Sequence, residues 1–160
     1  MNAVDVDPKT NTYLLSARSM CTIFKIDGNT GDIIWQLGGK HSDFSLGEGV
    51  DFCWQHDSRM HQKYLHYETK GPKEIISFFD NSAHENLVGG PTLEARNYSE
   101  GKVVELDTTK HTATLIASFR APGDLSARSQ GNLQLLPNGI HWIILLLKAN
   151  RPQPCILDVE

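Results

Sequence analysis

Trp54-Gln55-His56-Asp57 contains the side chain best suited to chemistry in this sequence. An imidazole is largely neutral near physiological pH, and its unprotonated nitrogen can act as a nucleophile or a base. Taken with its neighbours alone, a histidine beside a tryptophan reads more readily as a packed side chain than as a catalyst. Asp57 falls on the opposite side from His56 if the segment is a strand, so it reads as a turn or strand-edge cap, with no orienting role toward the ring. His56, His61 and His66 recur at intervals of five. That spacing turns successive rings to opposite faces of a strand and serves a helix poorly, which argues against a shared metal ion. Cys21, Cys53 and Cys155 contain no CxxC pair, and their wide spacing suggests neither a disulfide framework nor a zinc site. Asp80-Asn81 closes an apolar run and reads first as the start of a loop, as Asx residues often are.

The elements that must hold these residues are strands. Apolar residues come in short bursts divided by Gly, Asn, Asp and Pro, and no segment sustains helical spacing over three turns. Residues 12–17, 21–27 and 32–37 read as a three-strand meander, with Gly28-Asn29-Thr30-Gly31 turning between the last two. Residues 56–60, 74–79, 102–107 and 112–119 repeat that order, and 130–136 opens a third unit closed by Pro137-Asn138-Gly139. Ile23-Phe24-Lys25-Ile26-Asp27 corresponds to Val103-Val104-Glu105-Leu106-Asp107: each ends in Asp and passes a polar turn into another apolar strand. Imperfect repeats of a four-stranded meander are the mark of propeller blades, at about 40 to 50 residues each. The expected fold is therefore all-β: a partial β-propeller of about two to three blades, too short to close a ring. The polar stretch 81–99 reads as an inter-strand loop, and Trp35, Trp54, Phe78 and Phe79 as core between blades.

Composition excludes several functions. With 39% apolar and 21% charged residues the chain reads as an ordinary globular one, and a net charge of -4 with scattered Lys and Arg gives no footprint for nucleic acid or an anionic membrane. The apolar run 143–147 is far short of the roughly 20 residues of a membrane helix. No secretory signal opens the sequence, and the compartment stays undetermined.

Several of these segments together carry a family signature. Asn2-Ala3-Val4-Asp5 through Tyr13-Leu14-Leu15-Ser16-Ala17-Arg18, then Thr22-Ile23-Phe24-Lys25-Ile26 and Ile34-Trp35-Gln36-Leu37-Gly38-Gly39, resemble the fungal type of the arylsulfotransferase family. Phe52-Cys53-Trp54-Gln55-His56-Asp57, Ser77-Phe78-Phe79-Asp80-Asn81, Val104-Glu105-Leu106-Asp107 and Ser129-Gln130-Gly131-Asn132 extend the resemblance over about residues 2 to 139. The family pattern has His, one intervening residue and Asn, with an Arg sixteen residues beyond that Asn. Asn2 and Arg18 keep that interval.

The resemblance implies a six-bladed propeller in the full family. It also implies transfer of a sulfuryl group between phenols without a nucleotide sulfate donor. His56 matches the nucleophile of the Gln-His motif, Arg18 the cation that neutralises the sulfuryl oxygens, and Asn2 a neutral donor to them. The family's further His, a general acid, would fall one position before Met1, so little turnover is expected of this chain alone. Residues 140–160 depart from the pattern and read as a divergent tail, the product of a frame change or an unspliced segment. Implied partners are small phenols and aryl sulfates, with no cofactor and no metal, and the uncovered blade edges suggest self-association. Family members are often secreted or periplasmic. Two alternatives stand beside this reading: a non-catalytic propeller scaffold, and a quinoprotein-like propeller suggested by Gly28 to Trp35, though its quinone-binding motifs are not seen.

Overall fold

Apolar bursts become strands here because an aspartate-led turn follows one in each repeat. Asp7, Asp27 and Asp107 each turn a carboxylate oxygen onto the backbone N–H groups ahead: Lys9 at 2.9 Å, Asn29 and Thr30 at 2.7 and 3.2 Å, Thr109 and Lys110 at 3.1 and 2.9 Å. Those donors hold all three carboxyls below the usual range. Each turn ends at a residue with positive φ, Asn11, Gly31 or His111, and the chain reverses.

The computed structural model describes residues 1–64, 67–68, 71–82, 96–120, 125–127, 129–135, 141–148 and 151–158. β1 (Ala3–Asp7), β2 (Thr12–Ala17), β3 (Thr22–Asp27) and β4 (Ile33–Gly38) form an antiparallel meander in chain order. The sequence reading found three of these strands. β1 is the addition; it pairs with β2 from Ala3↔Ser16 to Asp7↔Thr12. β5 (Ser45–Leu46) leads to β6 (His56–His61), and β7 (Lys63–Tyr64) and β8 (Tyr67–Glu68) pair as a small hairpin. β9 (Lys73–Asp80), β10 (Glu100–Asp107) and β11 (Thr112–Arg120) complete a second sheet, ordered β5-β11-β10-β9-β6. All its pairs are antiparallel except β5 with β11. β12 (Leu133–Leu135), β13 (His141–Lys148) and β14 (Arg151–Asp158) form a third sheet. The fold is all-β and open, a partial propeller, as the repeats predict. Within the predicted strand 130–136 only Leu133–Leu135 is extended, because Gln130 and Gly131 both take positive φ; residue 136 and the turn at 137–139 lie outside the described residues. The predicted loop 81–99 also falls largely outside them.

The second sheet is the middle layer, which explains the nearly continuous burial of β9 and β10. Ile76, Phe78, Val104 and Leu106 pack with Leu14, Ile23, Trp35 and Leu37 of the first sheet and with Phe44, Val50 and Phe52 of the connection. On the opposite face, Ile75, Phe79, Val103 and Phe119 pack with Ala127 and Leu133. Alternate residues of β9 thus face different neighbours, as strand periodicity requires. The far side of the first sheet, carrying Val4, Val6 and Tyr13, is exposed.

One buried ionic cluster ties the middle layer to the connection. Lys102 and Asp80 are both fully buried and 3.3 Å apart. Lys102 Nζ also donates to the Gly49 and Asp51 carbonyls, and Arg96 pairs with Asp80 and Asp51. Burial pushes the Asp80 carboxyl up, and the two cations oppose that rise. Replacing Lys102 with Ala leaves the buried Asp80 carboxyl with Arg96 as its remaining partner of the two and orphans the Gly49 and Asp51 carbonyls. The expected loss is about 3–5 kcal/mol in denaturant unfolding; a loss below about 1 kcal/mol contradicts this account of the cluster.

Candidate functional site

His56 begins β6, and its hydrogen bonds fix which nitrogen carries the proton. Nδ1 lies 3.1 Å from the Trp54 carbonyl, which can only accept, and 2.7 Å from Asn81 Oδ1. Nδ1 is therefore the protonated nitrogen. Nε2 receives the backbone N–H of Gln130 at 3.2 Å, a group that can only donate. Nε2 thus holds a lone pair. Burial pushes His56 below the usual histidine value of 6.5 and Arg18 adds to that, against the opposing pull of Asn81, the Trp54 carbonyl and Asp57. The ring is neutral at physiological pH.

Three segments hold this arrangement. Gln55 is fully buried, and its amide donates to Ser16 Oγ at 3.1 Å and the Thr22 carbonyl at 3.0 Å, which anchors the histidine segment to the first sheet. Asn81 follows β9, whose Phe79 is registered with His56. Gln130 lies in the turn before β12, where Gly131 has φ of +122° and a Cβ would collide with the Phe79 ring. Cys21, Trp54, Asp57, Ser82 and Gln130 all have positive φ without being glycine. Such conformations cost of order 1–3 kcal/mol each and gather where a site needs them.

Arg18 stands beside the histidine through Trp54, its guanidinium carbon 3.8 Å from the centre of a Trp54 ring. Trp54 is buried, as expected of an inter-blade core residue, and it also serves as the platform for Arg18. Arg18 opens a 3-10 turn that ends at Cys21, whose N–H returns to the Arg18 carbonyl at 3.1 Å. Against the expectation from spacing, Cys21 and Cys53 form a disulfide, their Cα atoms 4.4 Å apart and their positions 32 residues apart. The bridge joins the Arg18 turn to the residue before Trp54. By loop closure alone its loss would cost about 3–4 kcal/mol. A thiol assay on denatured chain is expected to find two more thiols after reduction than before; equal counts contradict the bridge.

The remaining sequence candidates take distinct places. Asn2 is near the site: its side-chain N–H donates to the Gln55 carbonyl at 2.6 Å, next to His56. Asp57 turns away, one oxygen 2.8 Å from Arg59 Nε and the other accepting the Leu133 N–H at 3.3 Å, so it ties β6 to the third sheet. His61 is at the far end of β6, its Nε2 2.8 Å from Ser77 Oγ; His66 lies outside the described residues. Among the described residues no group of three or more His, Cys, Asp and Glu could hold a metal, and no helix is long and apolar enough to cross a membrane. Two grooves of about 620 and 430 Å³ are lined by residues of the first two sheets and their connections, and neither includes His56, Arg18 or Asn81. Asn81 and Gln130 are the residues that the sequence reading undervalued; their family segments were visible, but their contacts with the ring come from tertiary structure.

A search of curated proteins gives no match. Among solved structures, the WD40 domain of SCAP from fission yeast is similar at 11% identity and a TM-score of 0.37, over 99% of this chain and 34% of that one. The chain thus spans about a third of that structure's length. Residues 1–151 match the family described as arylsulfotransferase (ASST). The chain belongs to the arylsulfotransferase family.

Proposed function

We propose that this chain carries the transfer site of an aryl sulfotransferase, with His56 Nε2 as the transient carrier of a sulfuryl group between an aryl sulfate and a phenol. The Nε2 lone pair attacks sulfur, the bond from sulfur to the aryl oxygen breaks, and the phenolate leaves with the electron pair. The incoming phenol oxygen then bonds to sulfur and releases its proton to solvent, while the N–S bond breaks and its electron pair returns to Nε2. Arg18 offers a fixed cation to the sulfuryl oxygens. Asn2 offers them the second hydrogen of its amide. The observation that carries this reading is the forced protonation pattern of His56: an N–H held on Nδ1 by two acceptors and a lone pair on Nε2.

The protonated ring cannot attack, so the pH dependence has a definite sign. His56 is held below 6.5. The rate should be flat through neutral pH and fall only as pH drops through that lowered value. A limb above 6.5 contradicts a neutral, half-buried carrier. The Cys21–Cys53 bridge suits an oxidising compartment.

The direct test incubates the chain with a nitrophenyl sulfate and a phenol acceptor. Nitrophenolate leaves without being protonated, so the assay does not depend on a general acid. Wild type should release nitrophenolate faster than His56→Ala. Equal rates, including no release by either, count against His56 as the carrier in this chain.

A further inference from the structure

We propose that Asn81 is the positioning residue of this site, holding both the His56 ring and the Gln130 N–H that faces its reacting nitrogen. The chemistry of this proposal rests on the sulfuryl-transfer reading, whereas its geometry does not. Asn81 is fully buried directly after β9, and its amide is used on both sides. Oδ1 accepts from His56 Nδ1 at 2.7 Å, while Nδ2 donates to the Ala127 carbonyl at 2.9 Å and the Gln130 carbonyl at 2.6 Å. Two carbonyls on one side leave no choice of amide orientation, so the oxygen must face the histidine. The backbone is held as well: Ser99 Oγ donates to the Asn81 carbonyl at 2.9 Å and accepts the Ala127 N–H at 2.9 Å.

Few side chains fit these demands. The position needs an acceptor toward an imidazole N–H and donors toward two carbonyls, without a charge. An ionised Asp would lose both donations and set a negative charge beside the place where an anionic sulfate must arrive. Leu would fill the space and lose every bond. When Nε2 takes a sulfuryl group the ring becomes cationic and Nδ1–H more acidic, so its bond to Asn81 strengthens. Asn81 therefore stabilises the adduct more than the free ring, which is the kind of contact that lowers a barrier. The same amide holds the Gln130 carbonyl, and the Gln130 N–H, which donates to the Nε2 lone pair in the free site, must release it when sulfur arrives and can then turn to an oxygen of the transferred group.

The charged groups that act on His56 are Arg18, from the turn after β2, and Asp57, on its own strand; Asn81 and the Trp54 carbonyl are its neutral acceptors. With these unchanged, Asn81→Leu removes an acceptor that favours the protonated ring. His56 should then titrate at lower pH than in wild type. Nuclear magnetic resonance of the whole chain with nitrogen-labelled histidine reads this directly, the His56 signal being the one lost in His56→Gln. In wild type the neutral ring should carry its proton on Nδ1. In Asn81→Leu the titration should move down, and kcat should fall about 10- to 100-fold, as when the partner orienting a histidine is removed, with KM changed less than about twofold. An unchanged His56 titration in folded Asn81→Leu overturns the proposal. If that variant does not fold, wild type decides: a neutral ring protonated on Nε2 overturns it, and protonation on Nδ1 supports it. A wild type with the Nδ1 proton that forms no product supports the placement of Asn81 and counts against the transfer reading instead.

Discussion

Replacing His56 with Ala is expected to lower sulfuryl transfer by at least about 10³-fold in kcat, the scale seen when a covalent carrier is deleted. The expectation follows from the ring's hydrogen bonds. Nδ1 is committed to Trp54 and Asn81, and Nε2 is the nitrogen with a lone pair. Gln in the same place returns polar atoms but no nucleophilic nitrogen, so His56→Gln should be as inactive as His56→Ala. Asn81 loses its partner in His56→Ala, which should cost about 1–3 kcal/mol of stability, whereas the amide of His56→Gln can still donate to it. Thermal unfolding separates that cost from the loss of chemistry. A variant that folds and keeps more than about a tenth of the wild-type kcat contradicts His56 as the carrier.

Replacing Arg18 with Ala should lower kcat by about 10²–10³-fold, the usual cost of removing one fixed donor from developing charge. Lys should not restore the rate, because a point charge lacks both the planar fork and the stacking surface that lies 3.8 Å from the Trp54 ring centre. The variant also carries a pH signature. Arg18 helps hold the His56 ring below its ordinary value, so its removal lets that value rise. The acidic limb of the rate profile should move to higher pH, opposite to the shift expected for Asn81→Leu. A pH profile on both variants checks this, and limbs moving the same way contradict the separate roles.

The strands were legible because the physics that sets them is local. The predicted segments 12–17, 74–79, 102–107 and 112–119 appear with ends displaced by one or two residues at most, since alternation and Asp-led turns mark them directly. β1 was missed as a strand because Ala3–Asp7 is half exposed, takes its pairing from β2, and meets β6 through the Met60 N–H, which donates to the Asp5 carboxylate. His56, Arg18 and Asn2 were legible through the family pattern, and all three lie around the Gln55-His56 segment. The disulfide was not legible, because a 32-residue separation leaves no local trace of two loops meeting. Asn81 read as a loop opener. Its type does suit a chain reversal, but only the register of β9 against β6 brings its amide to the ring.

Intact-mass measurement and peptide mapping after brief exposure to nitrophenyl sulfate should find one added sulfuryl group per chain, located on His56, lost in acid and removed when a phenol is supplied. A sulfuryl group found on another residue, or equal labelling of wild type and His56→Ala, contradicts the carrier role of His56.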